Sequence, residues 1–208
     1  MSTKEFLGQK AAIVIENGCC EREIIQAFSA MEGIGLSCHF IASQSDIVKS
    51  WNEDRRGNTS DWASDYAANA RLNNAYPSNY SALVIPGGRR SIEKLKLDPS
   101  LRSFISGFLH TDKPVIAYNF AIEILSDLDL VKGYSVAAAY DFCDNIRERG
   151  GYCAQPEFIV SKNLITLSRY RDAEDRISAA TTCVLNGEVY VDKVVSSENM
   201  PRAAHIAA

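Results

Sequence analysis

Short apolar runs alternate along this chain with longer segments in which apolar residues recur at helical spacing. Residues 11–15 are an apolar run, residues 20–33 have helical spacing, and residues 36–42 form a second apolar run. The predicted buried face of the helix has four apolar residues, Ile24, Ile25, Phe28 and Met31. A strand, a helix and a strand in this order form a right-handed unit with two parallel strands. The pattern therefore predicts an α/β fold.

The clearest transition from strand to helix lies at residues 113–125. Residues 115–118 have the β-branched and aromatic character of a strand buried on both faces, and residues 122–125 suit a helix that packs back on the sheet. Asn119 and Phe120 are therefore predicted to lie at a strand-to-helix elbow. Such an elbow holds one side chain above the carboxyl edge of a parallel sheet, where an enzyme commonly places its nucleophile.

A third buried strand at residues 82–85 is followed by Pro86, Gly87 and Gly88. The amides of this glycine turn could face a ligand, or the turn could simply require the conformational freedom of glycine. Two helices follow in the pattern, a short one after Ser91 and one at residues 99–109 that begins with proline. The remaining predicted elements are a strand at 135–139, a helix at 141–149, a hairpin of 158–160 and 164–168, and a helix at 173–183.

The segment at residues 43–79 is polar and aromatic, and its pattern is irregular. Residues 61–75 could form one helix, or the segment could make a short β excursion followed by a turn. The chain outside this segment predicts one domain over residues 1–185, with a mostly parallel sheet and helices on both faces. Residues 186–208 are predicted to be a C-terminal extension, with residues 189–191 and 194–195 as a possible hairpin arm and a disordered end.

Charge and hydropathy exclude two classes of partner. The 208 residues carry a net charge of −4 without a basic stripe, so no nucleic-acid partner is predicted. No apolar window approaches the length of a membrane span, and the first ten residues lack the apolar core of a signal peptide. These features predict a soluble protein that is located in the cytoplasm.

The cysteines and histidines indicate no metal centre. The six cysteines are scattered without CxxC spacing in a chain large enough to fold without disulfides, so reduced thiols are predicted. His39, His110 and His205 fall in a predicted strand, at a helix end and in the tail, which is not the spacing of metal ligands. Neither a metal ion nor another cofactor is predicted.

Several segments together resemble the ThiJ/PfpI superfamily. They are residues 82–89 (ALVIPGGR), 113–117 (KPVIA), 123–125 (EIL), 130–133 (LVKG) and 163–166 (NLIT). The resemblance extends from about residue 10 to residue 180. It implies a flavodoxin-like three-layer sandwich related to class I glutamine amidotransferases, which is usually dimeric or larger. It also implies a Cys-His pair at the elbow, an acidic residue from the first helix, and an oxyanion hole made by the glycine turn and the elbow amides.

This chain departs from the family pattern at the chemical groups. Asn119, Phe120 and Ala121 stand where the family has Cys, His and Gly, and Cys20 is aligned with the acidic residue. A carboxamide cannot be activated as a thiolate is, so covalent catalysis at Asn119 is chemically implausible. The deglycase, glyoxalase, protease and amidase-like activities of the family are therefore not carried over to this protein.

The sequence thus predicts a catalytically degenerate protein that is a small-molecule-binding module or a structural, stress-related scaffold. If the elbow pocket is open, a small carbonyl or carboxylate compound would contact Cys20, Gly87, Gly88, Asn119 and Phe120. If Phe120 fills the pocket, the site is inert. The alternative is an enzyme or redox sensor of ThiJ/PfpI type that uses a relocated thiol at Cys20, near a helix start that would lower its pKa.

Other candidates concern assembly and the rim of the site. Trp51 and Trp62 are predicted to pack the 43–79 segment onto the sheet or to line a subunit contact. Arg89 and Arg90 could meet an anionic ligand, or they could be a solvated helix start. The resemblance and the aromatic insert predict a homodimer or a larger homo-oligomer.

Overall fold

The computed structural model describes residues 4–53, 59–154, 157–168 and 173–191. Its strands are β1 Lys10–Ile15, β2 Cys19–Cys20, β3 Ser37–Ala42, β4 Ile47–Glu53, β5 Thr59–Ala67, β6 Ala70–Arg71, β7 Ala82–Ile85, β8 Val115–Tyr118, β9 Ser135–Ala137, β10 Tyr152–Ala154, β11 Phe158–Ser161 and β12 Leu164–Leu167. Its helices are α1 Glu21–Gly33, α2 Arg89–Leu95, α3 Pro99–Leu109, α4 Ala121–Asp127, α5 Cys143–Glu148 and α6 Glu174–Leu185. Short 3₁₀ turns occur at Leu72–Asn74, Pro77–Asn79 and Tyr140–Phe142.

The described residues form a central seven-stranded sheet in the order β11-β12-β8-β7-β1-β3-β6. Neighbouring strands are parallel at every pairing except β11 with β12, which form the predicted hairpin. All four residues of β7 and of β8 are buried, as expected of central strands covered on both faces. The prediction of a mostly parallel sheet is confirmed.

Helices cover both faces of this sheet. Along β1, Ala12 and Val14 join a core cluster with residues of α2, α3 and α4, whereas Ile13 and Ile15 join a second cluster with α1 and α6. This alternation follows from the strand geometry, in which successive side chains point to opposite faces. The protein therefore has the predicted three-layer, flavodoxin-like α/β architecture.

The rotation of α1 about its axis differs from the prediction. Ile24 and Met31 are buried, but Ile25 is 53% exposed and Phe28 is 42% exposed. Polar Glu23 and Gln26 occupy buried positions on the helix instead. Adjacent isoleucines lie about 100° apart on a helix, so only one of them can face the sheet directly. The helix is turned so that Glu23 faces inward.

The segment at residues 43–79 contains a β excursion, and the alternative of a helix over residues 61–75 is wrong. β4 and β5 pair antiparallel, and β2 adds a short parallel pairing to β4. The Glu21 carboxylate ties this ribbon to the start of α1, because it accepts hydrogen bonds from the hydroxyls of Ser50, Ser64 and Tyr66. The small β2-β4-β5 sheet therefore sits next to the first helix.

The prediction that all cysteines are reduced is wrong for one pair. Cys143 and Cys153 form a disulfide with a Cα–Cα distance of 5.2 Å. The bond depends on β10, a strand that was not predicted and that pairs in parallel with β9. This pairing places Cys153 beside the first residue of α5. Cys19, Cys20, Cys38 and Cys183 are not in disulfides.

The last described residues leave the predicted arm largely untested. After α6, residues 188–191 are in neither a helix nor a strand, and the Tyr190 ring lies 5.9 Å from the Phe158 ring. The predicted strand at residues 194–195, the end that was predicted to be disordered and His205 lie outside the described residues. No helix in the described part of the chain is long and apolar enough to span a membrane.

Candidate functional site

The elbow lies where β8 ends and α4 begins. Asn119 has a φ of 44°, in the left-handed region that asparagine tolerates better than most residues. Its backbone N–H donates to the Leu167 carbonyl oxygen at 2.6 Å, and its carbonyl oxygen accepts from the Ile122 N–H at 3.2 Å. The neighbouring strand and the first turn of α4 therefore fix the backbone in this unfavourable conformation.

The Asn119 side chain is half-buried at this position. Among the described residues, its carboxamide has no hydrogen-bond partner, and neither has the backbone N–H of Phe120. A carboxamide offers both a donor and an acceptor, and the Phe120 amide offers a second donor. The elbow can therefore recognise a polar group, although it has no nucleophile.

The glycine turn packs directly against residues 18–20. Gly88 has a φ of 101°, and a Cβ atom there would clash with the Gly18 carbonyl oxygen and lie 2.8 Å from the Cys19 Cα. The Gly87 carbonyl oxygen accepts a hydrogen bond of 3.2 Å from the Cys20 N–H. Only glycine permits this close approach of two backbone segments at a positive φ. The structure thus brings Cys20 next to Gly87 and Gly88.

A carboxylate from α1 reaches the same place. The buried side chain of Glu23 accepts a hydrogen bond from the Gly87 N–H. A Cβ atom on Gly87 would lie 2.8 Å from Glu23 Oε2, 3.2 Å from the Tyr118 carbonyl oxygen and 3.5 Å from the Phe120 N. The glycine turn, the elbow and Glu23 therefore meet within a few ångströms.

The expectation that Cys20 had replaced the acidic group is therefore wrong, because Glu23 supplies a carboxylate at the elbow. The sequence could have indicated this from the rotation of α1 about its axis, because Glu23, three positions after Cys20, falls on the inward face of the helix. The predicted ligand role of the Gly87 amide also changes, because Glu23 already accepts its hydrogen. The donors of Asn119 and Phe120 have no partner among the described residues and remain available to a ligand.

Cys20 lies at the N-cap of α1 and is 2% exposed. Its neighbour Cys19 is fully buried, and burial, together with the charges of Glu21 and Glu16, strongly raises the pKa of the Cys19 thiol. The thiols of Cys19 and Cys20 are therefore almost inaccessible to solvent. A reaction at Cys20 would require a path for the reagent to a nearly closed site.

Phe120, the second residue of the elbow, packs into the core. It is 6% exposed, and its ring meets the Phe142 ring edge-on with 6.0 Å between centroids. The exposed Arg89 guanidinium lies over the same ring, 4.7 Å from its centroid. A cation over an aromatic face is favourable, so Arg89 has a structural contact at the rim as well as a charge that faces solvent.

Tyr118 is a polar residue that the sequence prediction treated as part of an apolar strand. Its side chain is fully buried, and its hydroxyl has no hydrogen-bond partner in the described part of the chain. Burial raises the pKa of Tyr118 well above its usual value, and the charges of Glu23, Glu174 and Cys20 add to the shift. The neutral hydroxyl therefore stays protonated behind the elbow.

The two tryptophans lie at the rim rather than in the core. Trp51 and Trp62 pack edge-to-face with centroids 4.2 Å apart, and the Arg90 guanidinium lies 4.1 Å from the Trp51 ring centroid. Trp62 remains 56% exposed. The contacts of the pair tie the β4-β5 ribbon to the start of α2, next to the glycine turn.

The described residues contain no cluster of three or more His, Cys, Asp or Glu side chains that could hold a metal ion. The acidic groups near the elbow are already engaged, since Glu21 accepts from three hydroxyls and Glu23 accepts from Gly87. The chemistry that the elbow can perform with these side chains is hydrogen bonding, with one carboxylate close by.

Comparison with known proteins places this chain in a family. The sequence profile of the DJ-1/PfpI family matches residues 9–183. The Bacillus subtilis protein YraA, whose name describes it as a candidate cysteine protease, is 31% identical over 97 residues. That match spans 47% of this chain and 57% of YraA, so a little over half of that relative is covered.

Two further similarities cover most of the chain. An uncharacterized Staphylococcus aureus protein is 25% identical over 171 residues, which span 80% of this chain and 93% of that protein. The structure of oxidized DJ-1 from Toxoplasma gondii superposes with a TM-score of 0.69 at 16% identity, covering 86% of this chain and 91% of that one. At this identity the structural likeness establishes the fold alone.

Proposed function

Because this chain belongs to the DJ-1/PfpI family and has Asn119 at its elbow, we propose that it is a binding protein without covalent catalysis. Its ligand is a small carbonyl or carboxylate compound that contacts Asn119. A carboxamide has no ionisable proton to lose near neutral pH, so it cannot serve as the nucleophile of acyl or carbonyl chemistry.

The observation that carries this proposal is the lack of a hydrogen-bond partner for the Asn119 side chain among the described residues. The carboxamide is half-buried at a strained backbone position, and no described residue satisfies its hydrogen-bonding groups. Strain of this kind costs about 1–3 kcal/mol and tends to persist at functional sites. A ligand that accepts from Asn119 and from the Phe120 amide would use groups that the protein leaves available.

The Glu23 carboxylate favours a neutral carbonyl at the inner side of the elbow. Its side chain accepts the hydrogen of the Gly87 amide, in the turn that packs against the elbow. An anionic group placed there would lose its hydration next to a Glu23 oxygen atom that accepts hydrogen bonds, so a neutral carbonyl is favoured. A ligand carboxylate is better placed toward Arg89, whose guanidinium is exposed at the rim.

The test combines binding with turnover. Purified protein is titrated with glyoxylate, pyruvate and methylglyoxal, and thermal stabilisation and consumption of each compound are measured. We expect saturable stabilisation by at least one compound and no turnover of any of them. Asn119→Gly should abolish the stabilisation, because glycine accepts the positive φ and removes only the carboxamide. Asn74→Ala, at an exposed position, is the matched control.

The second candidate function is thiol chemistry at Cys20. It is favoured by one observation, the position of Cys20 beside Gly87 and close to the Glu23 carboxylate. An active Cys20 would be alkylated quickly near neutral pH, with a midpoint well below the free-thiol value of about 8.5. Turnover that disappears in Cys20→Ser would contradict the binding proposal and establish this alternative. The 2% exposure of Cys20 supports the binding proposal.

Assembly and location are also proposals. We propose a homodimer or larger assembly, which light scattering at tens of micromolar protein would detect, whereas a monomer at that concentration would contradict it. A cytoplasmic location is proposed from the sequence features alone.

A further inference from the structure

The Cys143–Cys153 disulfide joins two short elements close to the elbow. Cys143 is the first residue of α5, and Cys153 is the central residue of β10. Cys143 is 1% exposed, whereas Cys153 is partly exposed and its neighbour Tyr152 is 66% exposed. One sulfur atom of the bond therefore belongs to a buried residue, and the other belongs to a half-buried residue.

The buried end of the bond is linked to the elbow through one aromatic contact. Phe142 directly precedes Cys143, and its ring packs edge-on against the Phe120 ring with 6.0 Å between centroids. Phe120 in turn follows Asn119. A change in the position of the α5 start would therefore be felt at Phe120, a residue of the elbow.

The covalent bond restrains a segment whose two elements are short. α5 has six residues and no side-chain cap at its N-terminus, and such short helices are marginal without tertiary support. Within the described residues, β10 pairs only with β9, over three residue pairs. Removal of the bond would loosen these two elements most.

Other contacts keep the segment attached when the bond is open. Ile146 of α5 is fully buried, and its carbonyl oxygen accepts from the Gly151 N–H at 2.9 Å. The Tyr152 N–H donates to the Tyr134 carbonyl oxygen at 2.9 Å. The reduced protein should therefore keep its fold, with a more mobile Phe142.

From this geometry we infer that Cys143 and Cys153 are a reversible dithiol–disulfide site that controls how firmly Phe142 holds Phe120 in place at the elbow. In oxidation by glutathione disulfide, the two thiols lose two protons and two electrons to form the Cys143–Cys153 bond. The oxidant takes them up to give two molecules of glutathione. In reduction, a glutathione thiolate attacks the Cys153 sulfur, which releases the Cys143 thiolate and leaves a mixed disulfide. A second glutathione thiolate then attacks the mixed disulfide and releases the Cys153 thiolate and glutathione disulfide.

The proposal is tested on the folded wild-type protein in glutathione buffers of graded ratio. Thiols are trapped by alkylation and assigned by mass spectrometry, and amide exchange of residues 119–127 is measured in the same samples. We expect Cys143 and Cys153 to be trapped together as the buffer becomes reducing and to be lost again on reoxidation. Amide exchange at the elbow should increase several-fold in the reduced state and return on reoxidation.

Variants separate this pair from the other thiols. Cys153→Ser should give the high exchange rate at every glutathione ratio, whereas the control Cys183→Ser, at a half-buried position in α6, should behave as wild type. A bond that opens only when the protein unfolds would overturn the proposal, and so would elbow exchange that is identical in the two redox states. The comparison between oxidised and reduced wild-type protein tests the proposal even if Cys153→Ser fails to fold.

Discussion

Replacement of Gly88 by alanine tests the packing that creates the candidate site. Gly88 has a φ of 101°, which is unfavourable for other residues. In addition, backbone atoms of residues 18–20 lie where a Cβ atom would be. Two other glycines separate these effects. Gly8 has a φ of 84° with open space around it, and Gly33 has an ordinary φ, also with open space.

The expected magnitudes differ by position. Alanine at Gly8 should cost about 1–2 kcal/mol, because only the left-handed conformation is unfavourable. Alanine at Gly33 should be neutral or should stabilise by up to about 1 kcal/mol, since alanine favours a helix over glycine. At Gly88 the strain adds to overpacking against backbone atoms that cannot rotate away, for a total of roughly 2–6 kcal/mol.

Urea unfolding of the three variants, followed by tryptophan fluorescence and circular dichroism, measures these differences. The loss at Gly88 should exceed the loss at Gly8 by at least about 1 kcal/mol, which is the lower estimate for overpacking. If Gly88→Ala is no less stable than Gly8→Ala, the glycine turn does not pack on residues 18–20, and the geometry of the site is wrong.

Three further predictions concern buried polar groups. Glu23→Gln should cost less than Glu23→Ala, because glutamine keeps an acceptor for the Gly87 amide, and an unsatisfied buried donor costs about 1–3 kcal/mol; equal losses in urea unfolding would contradict this contact. Asn163→Ala should destabilise by roughly 2–4 kcal/mol in the same assay, because the two Nδ2 hydrogens are shared among three carbonyl oxygens, and a loss below about 0.5 kcal/mol would refute it. Burial raises the pKa of Cys38 from 9.0 to about 12, so the unfolded thiol ionises first and stability should fall as pH rises from 9 toward 12. Cys38→Ala should flatten that decline in pH-dependent unfolding, and an unchanged slope would argue against it.

The architecture could be predicted because its strands carry a strong signal. Residues 82–85 and 115–118 are apolar throughout, which is typical of strands covered by helices on both faces, and the structure confirms both. The elbow followed directly, because the apolar run changes to helical spacing at Asn119. Neither inference required contacts between residues that are distant in the sequence.

The features that the sequence did not predict depend on the rotation of α1 about its axis and on the pairing of strands that are distant in the sequence. The two isoleucines at positions 24 and 25 made the phase of α1 ambiguous, and the inward position of Glu23 depends on that phase. The Cys143–Cys153 bond required β10, a strand of three residues that forms only beside β9. Such elements are stabilised by tertiary contacts rather than by local propensity, so the local pattern of apolar and polar residues does not predict them.

The most direct test of a binding function at the elbow is nuclear magnetic resonance of the protein labelled with ¹⁵N, recorded while methylglyoxal or pyruvate is added. We expect saturable shifts of the Asn119 side-chain amide and the Phe120 backbone amide, with the signals of the added compound undiminished over hours and no such shifts in Asn119→Gly. Consumption of the compound that continues in Asn119→Gly and stops in Cys20→Ser would contradict the account and identify the protein as a thiol enzyme.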